Sequence, residues 1–206
     1  IIVITSSCGA AVSATPISTD PASHQIVSVS GNSMTLDGTP WLSYGVTLRG
    51  FVAPSAFLRS HFPAAYAGQR NYGVPELNAA RAFGANTLRF QVSQPSLDPR
   101  SPRYDQNYVE KLVAAMKQAR QSGFVVMIMM QDEPFSGESH PHPLATEETV
   151  RDWDYLNTQF GNDRGVLFEL YNEPEIRANA TNWQLWANGD ERHSSTMAPG
   201  AVGMQT

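Results

Sequence analysis

Four apolar runs begin at residues 44, 86, 124 and 166, at intervals of 42, 38 and 42 residues. Each is short and ends in polar or turn-forming residues, as strands covered on both faces do. Every gap after the first run contains a helical pattern. Residues 75–83 carry Leu77, Ala80 and Phe83 at helical spacing, with Pro75 at the start and Gly84 as the stop. In 105–122, Tyr108, Leu112, Ala115, Met116 and Ala119 share one face, and Gly123 ends the segment. In 146–160, Val150, Trp153, Leu156 and Phe160 do the same. Apolar strands alternating with helices predict an α/β fold with parallel pairing through right-handed crossovers. The periodicity lies in the pattern alone; no sequence repeat accompanies it.

Upstream, 26–30 and 33–36 alternate in polarity around Gly31-Asn32 and lead to Asp37-Gly38, which predicts a small hairpin or a pair of them, with Trp41-Leu42 as an apolar anchor. The stretches 51–73, 131–143 and 175–190 read as loops, the last carrying Trp183 and Trp186. A further helix start is expected at 196–200. A helix begun so close to Thr206 buries little, which predicts a chain truncated at that end.

Residues 1–14 are small and apolar, and Val12-Ser13-Ala14 before Thr15-Pro16 resembles a signal-peptidase site without the Met and basic residues that open such signals. The expected organisation is a secretory-signal remnant at 1–14, a Ser/Thr/Pro/Ala-rich linker at 15–25, and one domain from 26 to 206, extracellular in location. Lipidation at Cys8 is the weaker alternative, because Thr5 stands where an aliphatic residue is usual, and a flexible arm is the plain one. As the single cysteine, Cys8 permits no internal disulfide. No other run approaches the roughly 20 apolar residues of a membrane span. A formal charge of −5 without any Lys/Arg cluster argues against nucleic acid and anionic membrane as partners.

The chemistry gathers where the fourth run stops, at Tyr171-Asn172-Glu173-Pro174. Loops leaving the C-terminal ends of parallel strands carry the reacting groups in α/β folds, so Glu173 is the candidate catalytic carboxyl. Pro174 biases Glu173 towards an extended backbone. Arg89 alternates with Leu88 and Phe90 and so faces away from them; it belongs either to the site or to a surface ion pair. Glu169 reads as a structural ion-pair partner lower in the same strand.

Gly84-Ala85-Asn86-Thr87-Leu88-Arg89, the apolar third strand and Tyr171-Asn172-Glu173-Pro174, in this order, resemble glycoside hydrolase family 5, the cellulase family of (β/α)8 TIM barrels. Asp37-Gly38-Thr39-Pro40-Trp41 ahead of Tyr44-Gly45-Val46 is similar to that family's N-terminal hairpin and first strand. The resemblance runs from about residue 26 to the end and implies about the first four βα units of such a barrel. It implies a retaining hydrolase of β-linked polysaccharides or oligosaccharides, needing no cofactor and monomeric at full length. Glu173 matches the general acid/base, Asn172 the residue that binds the sugar 2-hydroxyl, and Arg89 the arginine beside the nucleophile. The family's histidine after the third strand falls at Gln131, which can hydrogen-bond a sugar but carries no charge. The nucleophilic glutamate of the seventh strand lies beyond these residues.

Retention needs two carboxyls about 5–5.5 Å apart, one protonated and one ionised. Asp132 and Glu133, after the third strand, are the only local substitutes, a weaker reading because they open a loop ending in Pro134. Trp183 and Trp186 are equally readable as a sugar-stacking platform or as helix core. His140 and His142 flank Pro141 without metal-ligand spacing, and no metal is expected; His61 and His193 read as solvated. The rival to an enzyme is a non-catalytic carbohydrate-binding protein on the same scaffold. A doubly wound nucleotide-binding domain is the third reading, and it lacks a Gly-rich phosphate loop. Four βα units alone would leave two sheet edges open, so these residues in isolation are expected to be inactive and poorly folded.

Overall fold

The computed structural model describes residues 25–137, 141–190, 195 and 198–205. The expected signal remnant, Cys8, nearly all of the linker, His140, His193 and the start of the 196–200 helix lie outside the described residues.

Strands β1 (Val27–Ser30), β2 (Ser33–Leu36) and β3 (Thr39–Pro40) form an antiparallel sheet of consecutive hairpins. The Gly31 and Asp37-Gly38 turns sit where the dipeptides placed them. The second sheet is parallel, in the order β4 (Gly45–Leu48), β5 (Thr87–Ser93), β6 (Val125–Gln131) and β7 (Val166–Glu169). Its register pairs Leu88 with Val126 and Phe90 with Ile128, so these residues share a face. That face, with Val92 and Met130, is fully buried against the helices. The opposite face carries Arg89, Gln91, Met127, Met129, Gln131 and Glu169, the polar side of the sheet.

Helices α3 (Val74–Ala82), α4 (Gln106–Gln121) and α5 (Glu147–Phe160) occupy the gaps as predicted. Asp105 caps α4, its carboxylate accepting from Tyr108 N at 2.9 Å. Gly123, at φ 81°, turns the chain out of α4 into β6. Leu112, Met116 and Ala119 of α4 meet Phe90, Ile128 and Phe124 in one core that Leu156 and Phe160 of α5 join. Phe90, wholly enclosed and 5.3 Å from Phe51, is a side chain whose truncation to alanine costs about 3–5 kcal/mol.

Two of the expected loops are helical. Residues 51–73 contain α1 (Ser55–His61) and α2 (Pro63–Asn71), and 175–190 contain α6 (Ala180–Asn188). In α1 and α2 the apolar residues are too few for a visible stripe, and the helices are held by tertiary contacts. Leu58, Val52 and Ala53 make a satellite core, and Gln69 Nε2 donates to Ala53 O at 3.1 Å. In α6 the signal was the cap: Asn179 accepts from Asn182 N at 2.9 Å. The described part of 198–205 is turn and a bridge from Val202 to Gly189, so the helix expected there does not continue through it.

Two buried titratable side chains, Arg120 and Asp152, flank the core. Arg120 of α4, 5% exposed, pairs with Asp163 at 2.9 Å and also binds Gln25, tying the helix to the segment before β7 and to the first described residue. Gly165 packs against this guanidinium so closely that a Cβ there would lie 2.0 Å from Nη2. In α5, Asp152 is 1% exposed and neither carboxyl oxygen has a hydrogen-bond partner. Burial, reinforced by the negative charges of Glu148 and Asp98, pushes it up to about 9, so it is a neutral acid at pH 7.

Candidate active site

The C-terminal ends of β5, β6 and β7 deliver one connected set of polar side chains. Arg89 stands on the polar face of β5 and reaches across β6. Its Nε donates to Glu169 Oε2 at 2.7 Å, Nη2 completes a bidentate pair with Oε1, and Nη2 also donates to Asn172 Oδ1 at 3.1 Å. The bonds to Glu169, with the charges of Glu169 and Glu173, make the guanidinium hold its proton more tightly than usual. Glu169 is therefore the ion-pair partner expected of it. Arg89 joins the site through Asn172 rather than lying on the surface.

Strand β7 ends at Glu169, but its ladder extends beyond: Asn172 N donates to Met130 O at 3.0 Å. Two residues after Glu173, Glu175 N donates to Pro143 O at 3.1 Å. The chain must turn between these two anchors, and Glu173 turns it in the left-handed region, at φ 46°. This corrects the extended backbone expected before Pro174, because the hydrogen bonds on either side outweigh the local preference. A non-glycine residue in that conformation costs of order 1–3 kcal/mol, and the turn leaves the Glu173 side chain exposed at the rim.

Glu133 completes the set. Asn172 Nδ2 donates to Glu133 Oε1 at 3.3 Å. Burial, then the neighbouring charge of Glu173, raises the Glu133 pKa above the usual carboxylate range, opposed by Gln131 and Asn172. Gln131 itself is fully buried and its amide makes no well-formed hydrogen bond. It lies under the site, without surface for a sugar to touch in this conformation.

Behind these residues stands a polar wall whose pairing the sequence did not reveal. The Asp132 carboxylate, 1% exposed, accepts from His142 N at 3.0 Å and Gln94 Nε2 at 3.3 Å, and pairs with His142 Nδ1 at 2.8 Å. Tyr171, its hydroxyl pushed upward by burial, donates to His142 O. Asp132 is thus committed to His142 and is no free nucleophile. The order Gln-Asp-Glu at a strand end was the available signal; the histidine ten residues later was not.

The two tryptophans separate. Trp183 is 58% exposed on α6, whereas Trp186 packs against Leu144, Ala198 and Ala201. Among the described residues no cluster of three His, Cys, Asp or Glu side chains is arranged to hold a metal ion, and no helix is long and apolar enough to cross a membrane.

Residues 74–197, from α3 past α6, match the family model for cellulase, glycosyl hydrolase family 5. The chain belongs to glycosyl hydrolase family 5. Among solved structures it is similar to a cellotetraose complex of an endocellulase variant from Pyrococcus horikoshii, with 18% identity and a TM-score of 0.55 over 78% of this chain and 47% of that one. A second cellotetraose complex of the same endocellulase gives 16% identity and a TM-score of 0.55 over 88% of this chain and 52% of that one. The family 5 chain thus spans about half the length of these structures. No curated protein matches it significantly. The four-stranded sheet and its helices are a partial TIM barrel, in agreement with the fold read from the strand spacing and the resemblance.

Proposed function

We propose that this chain is the N-terminal part of a retaining glycoside hydrolase that cleaves β-linked glucans, with Glu173 as general acid/base. The observation that carries the reading is the hydrogen-bonded chain Glu169–Arg89–Asn172–Glu133, with Glu173 directly after Asn172, at the C-terminal end of a parallel sheet. In it Asn172 is held from both ends, as a residue aimed at the sugar 2-hydroxyl must be. Arg89 positions that amide and supplies positive charge beside the reacting centre. Glu173 protonates the leaving oxygen and later takes a proton from water. The nucleophilic carboxylate comes from barrel strands beyond the four present, consistent with the half-length coverage of the endocellulase structures. Their cellotetraose motivates a cellulose-type glucan as the substrate here. The exposed Trp183 is the candidate stacking surface. Export follows the apolar character of residues 1–14, and the working unit is the full-length monomer without cofactor.

The test is Glu173→Gln in the full-length protein. Turnover of soluble β-glucan is expected to fall by about 10²–10⁴-fold. An aryl glycoside with a good leaving group should lose far less in its glycosylation step. Equal turnover by both proteins would reduce Glu173 to a turn residue. Glucan binding without turnover in either would point to the carbohydrate-binding alternative.

A further inference from the structure

We propose that Glu133 is a positioning carboxyl of this site, which fixes the orientation of the Asn172 amide. The inference rests on the reading of Glu173 as the acid/base and adds a residue to which the family resemblance gives no role.

Two features support it. The first concerns the Asn172 amide, which lies between opposite charges: Arg89 Nη2 at 3.1 Å from Oδ1, and Glu133 Oε1 at 3.3 Å from Nδ2. Flipping it would set an oxygen against a carboxylate and an NH2 against a guanidinium. One orientation is therefore enforced, and Glu133 supplies half of the enforcement. Without Glu133 the Nδ2 end has no anchor, and the amide can rotate about χ2 while keeping Arg89.

The second is the delivery of Glu133 by a stiff turn. Its N–H donates to Ser136 Oγ at 3.1 Å, Ser136 N donates to its carbonyl at 2.9 Å, and Pro134 follows it directly. Ser136 is fully buried. The carboxyl is thus carried on a braced backbone, unlike that of a free surface glutamate.

Two variants of the full-length enzyme test this role, with Glu173→Gln as the control. Glu133→Ala removes the anchor of Asn172. The preference for an aryl glucoside over its 2-deoxy analogue should fall by about tenfold, the size of one charge-assisted hydrogen bond. Glu133→Gln keeps an acceptor for Asn172 Nδ2 and should retain most of that preference. Thermal melts of both variants check that the fold is retained, and the Gln variant reads the Asn172 role even where the Ala variant is lost to misfolding. An unmoved 2-hydroxyl preference in Glu133→Ala, or an equal loss in Glu133→Gln, overturns the inference while the collapse of Glu173→Gln leaves the acid/base reading standing. Wild-type turnover by Glu173→Gln would instead defeat that reading.

Discussion

Replacing Asp152 by asparagine should stabilise the protein at neutral pH. The carboxyl is 1% exposed, has no hydrogen-bond partner on either oxygen, and is pushed up to about 9 by burial and by the charges of Glu148 and Asp98. In the unfolded chain the same group titrates near 3.9. Its folded pKa lies above its unfolded one, so its stabilising effect is complete below about pH 4, declines as pH rises, and stops declining near the folded value of about 9. Each pH unit between these limits removes about 1.4 kcal/mol. At pH 7 roughly three such units separate the protein from full effect, a cost of about 4 kcal/mol. That figure depends only on the folded pKa exceeding 7. Asparagine keeps the shape, has no proton to hold, and leaves a buried amide that costs about 1–3 kcal/mol. The net gain for Asp152→Asn at pH 7 is therefore about 1–3 kcal/mol. Urea unfolding of both proteins at several pH values from 4 to 8 reads the difference. The diagnostic is the slope: the wild-type curve should fall with pH by about 1.4 kcal/mol per unit more than the variant's. Parallel curves would mean that Asp152 is ionised and partnered in the native state, and the reasoning would be wrong.

Two further outcomes follow from packing. Gly165→Ala places a Cβ where it would lie 2.0 Å from Arg120 Nη2, so the guanidinium must shift against Asp163; a loss of about 1–3 kcal/mol, as for overpacking at a buried side chain, is expected in chemical denaturation. Trp183→Ala should weaken cello-oligosaccharide binding with an unchanged melting temperature, because the ring is 58% exposed. Trp186→Ala, in the cluster with Leu144 and Ala198, should instead lower the melting temperature; the reverse pattern would exchange their roles.

The parts legible from sequence were those in which a residue's periodicity and its burial have the same cause. Phe90, Ile128 and Leu112 are apolar because they meet in one core, and their spacing gave strands and helices to within a residue or two. Helices α1, α2 and α6 were missed because their stability comes from contacts distant in sequence, such as Gln69 to the carbonyl of Ala53. At the site, Arg89, Asn172 and Glu173 were recoverable from a motif. Their geometry was not: the partner of Arg89 lies 80 residues away, and that of Asn172 lies 39 away on another strand's loop. The left-handed turn at Glu173 contradicts the local rule for a residue before proline, since two long-range backbone bonds decide it.

The turn also sets a limit on how this protein can be improved. At φ 46° a glycine or an asparagine would sit with less strain than glutamate does. A selection for thermal tolerance alone, with no demand for turnover, would drift towards those residues at position 173 and keep the result as a gain. On the acid/base role proposed for Glu173, the glutamate persists against that gradient only where catalysis is selected as well. Libraries screened for heat resistance should therefore carry activity as a second gate from the first round.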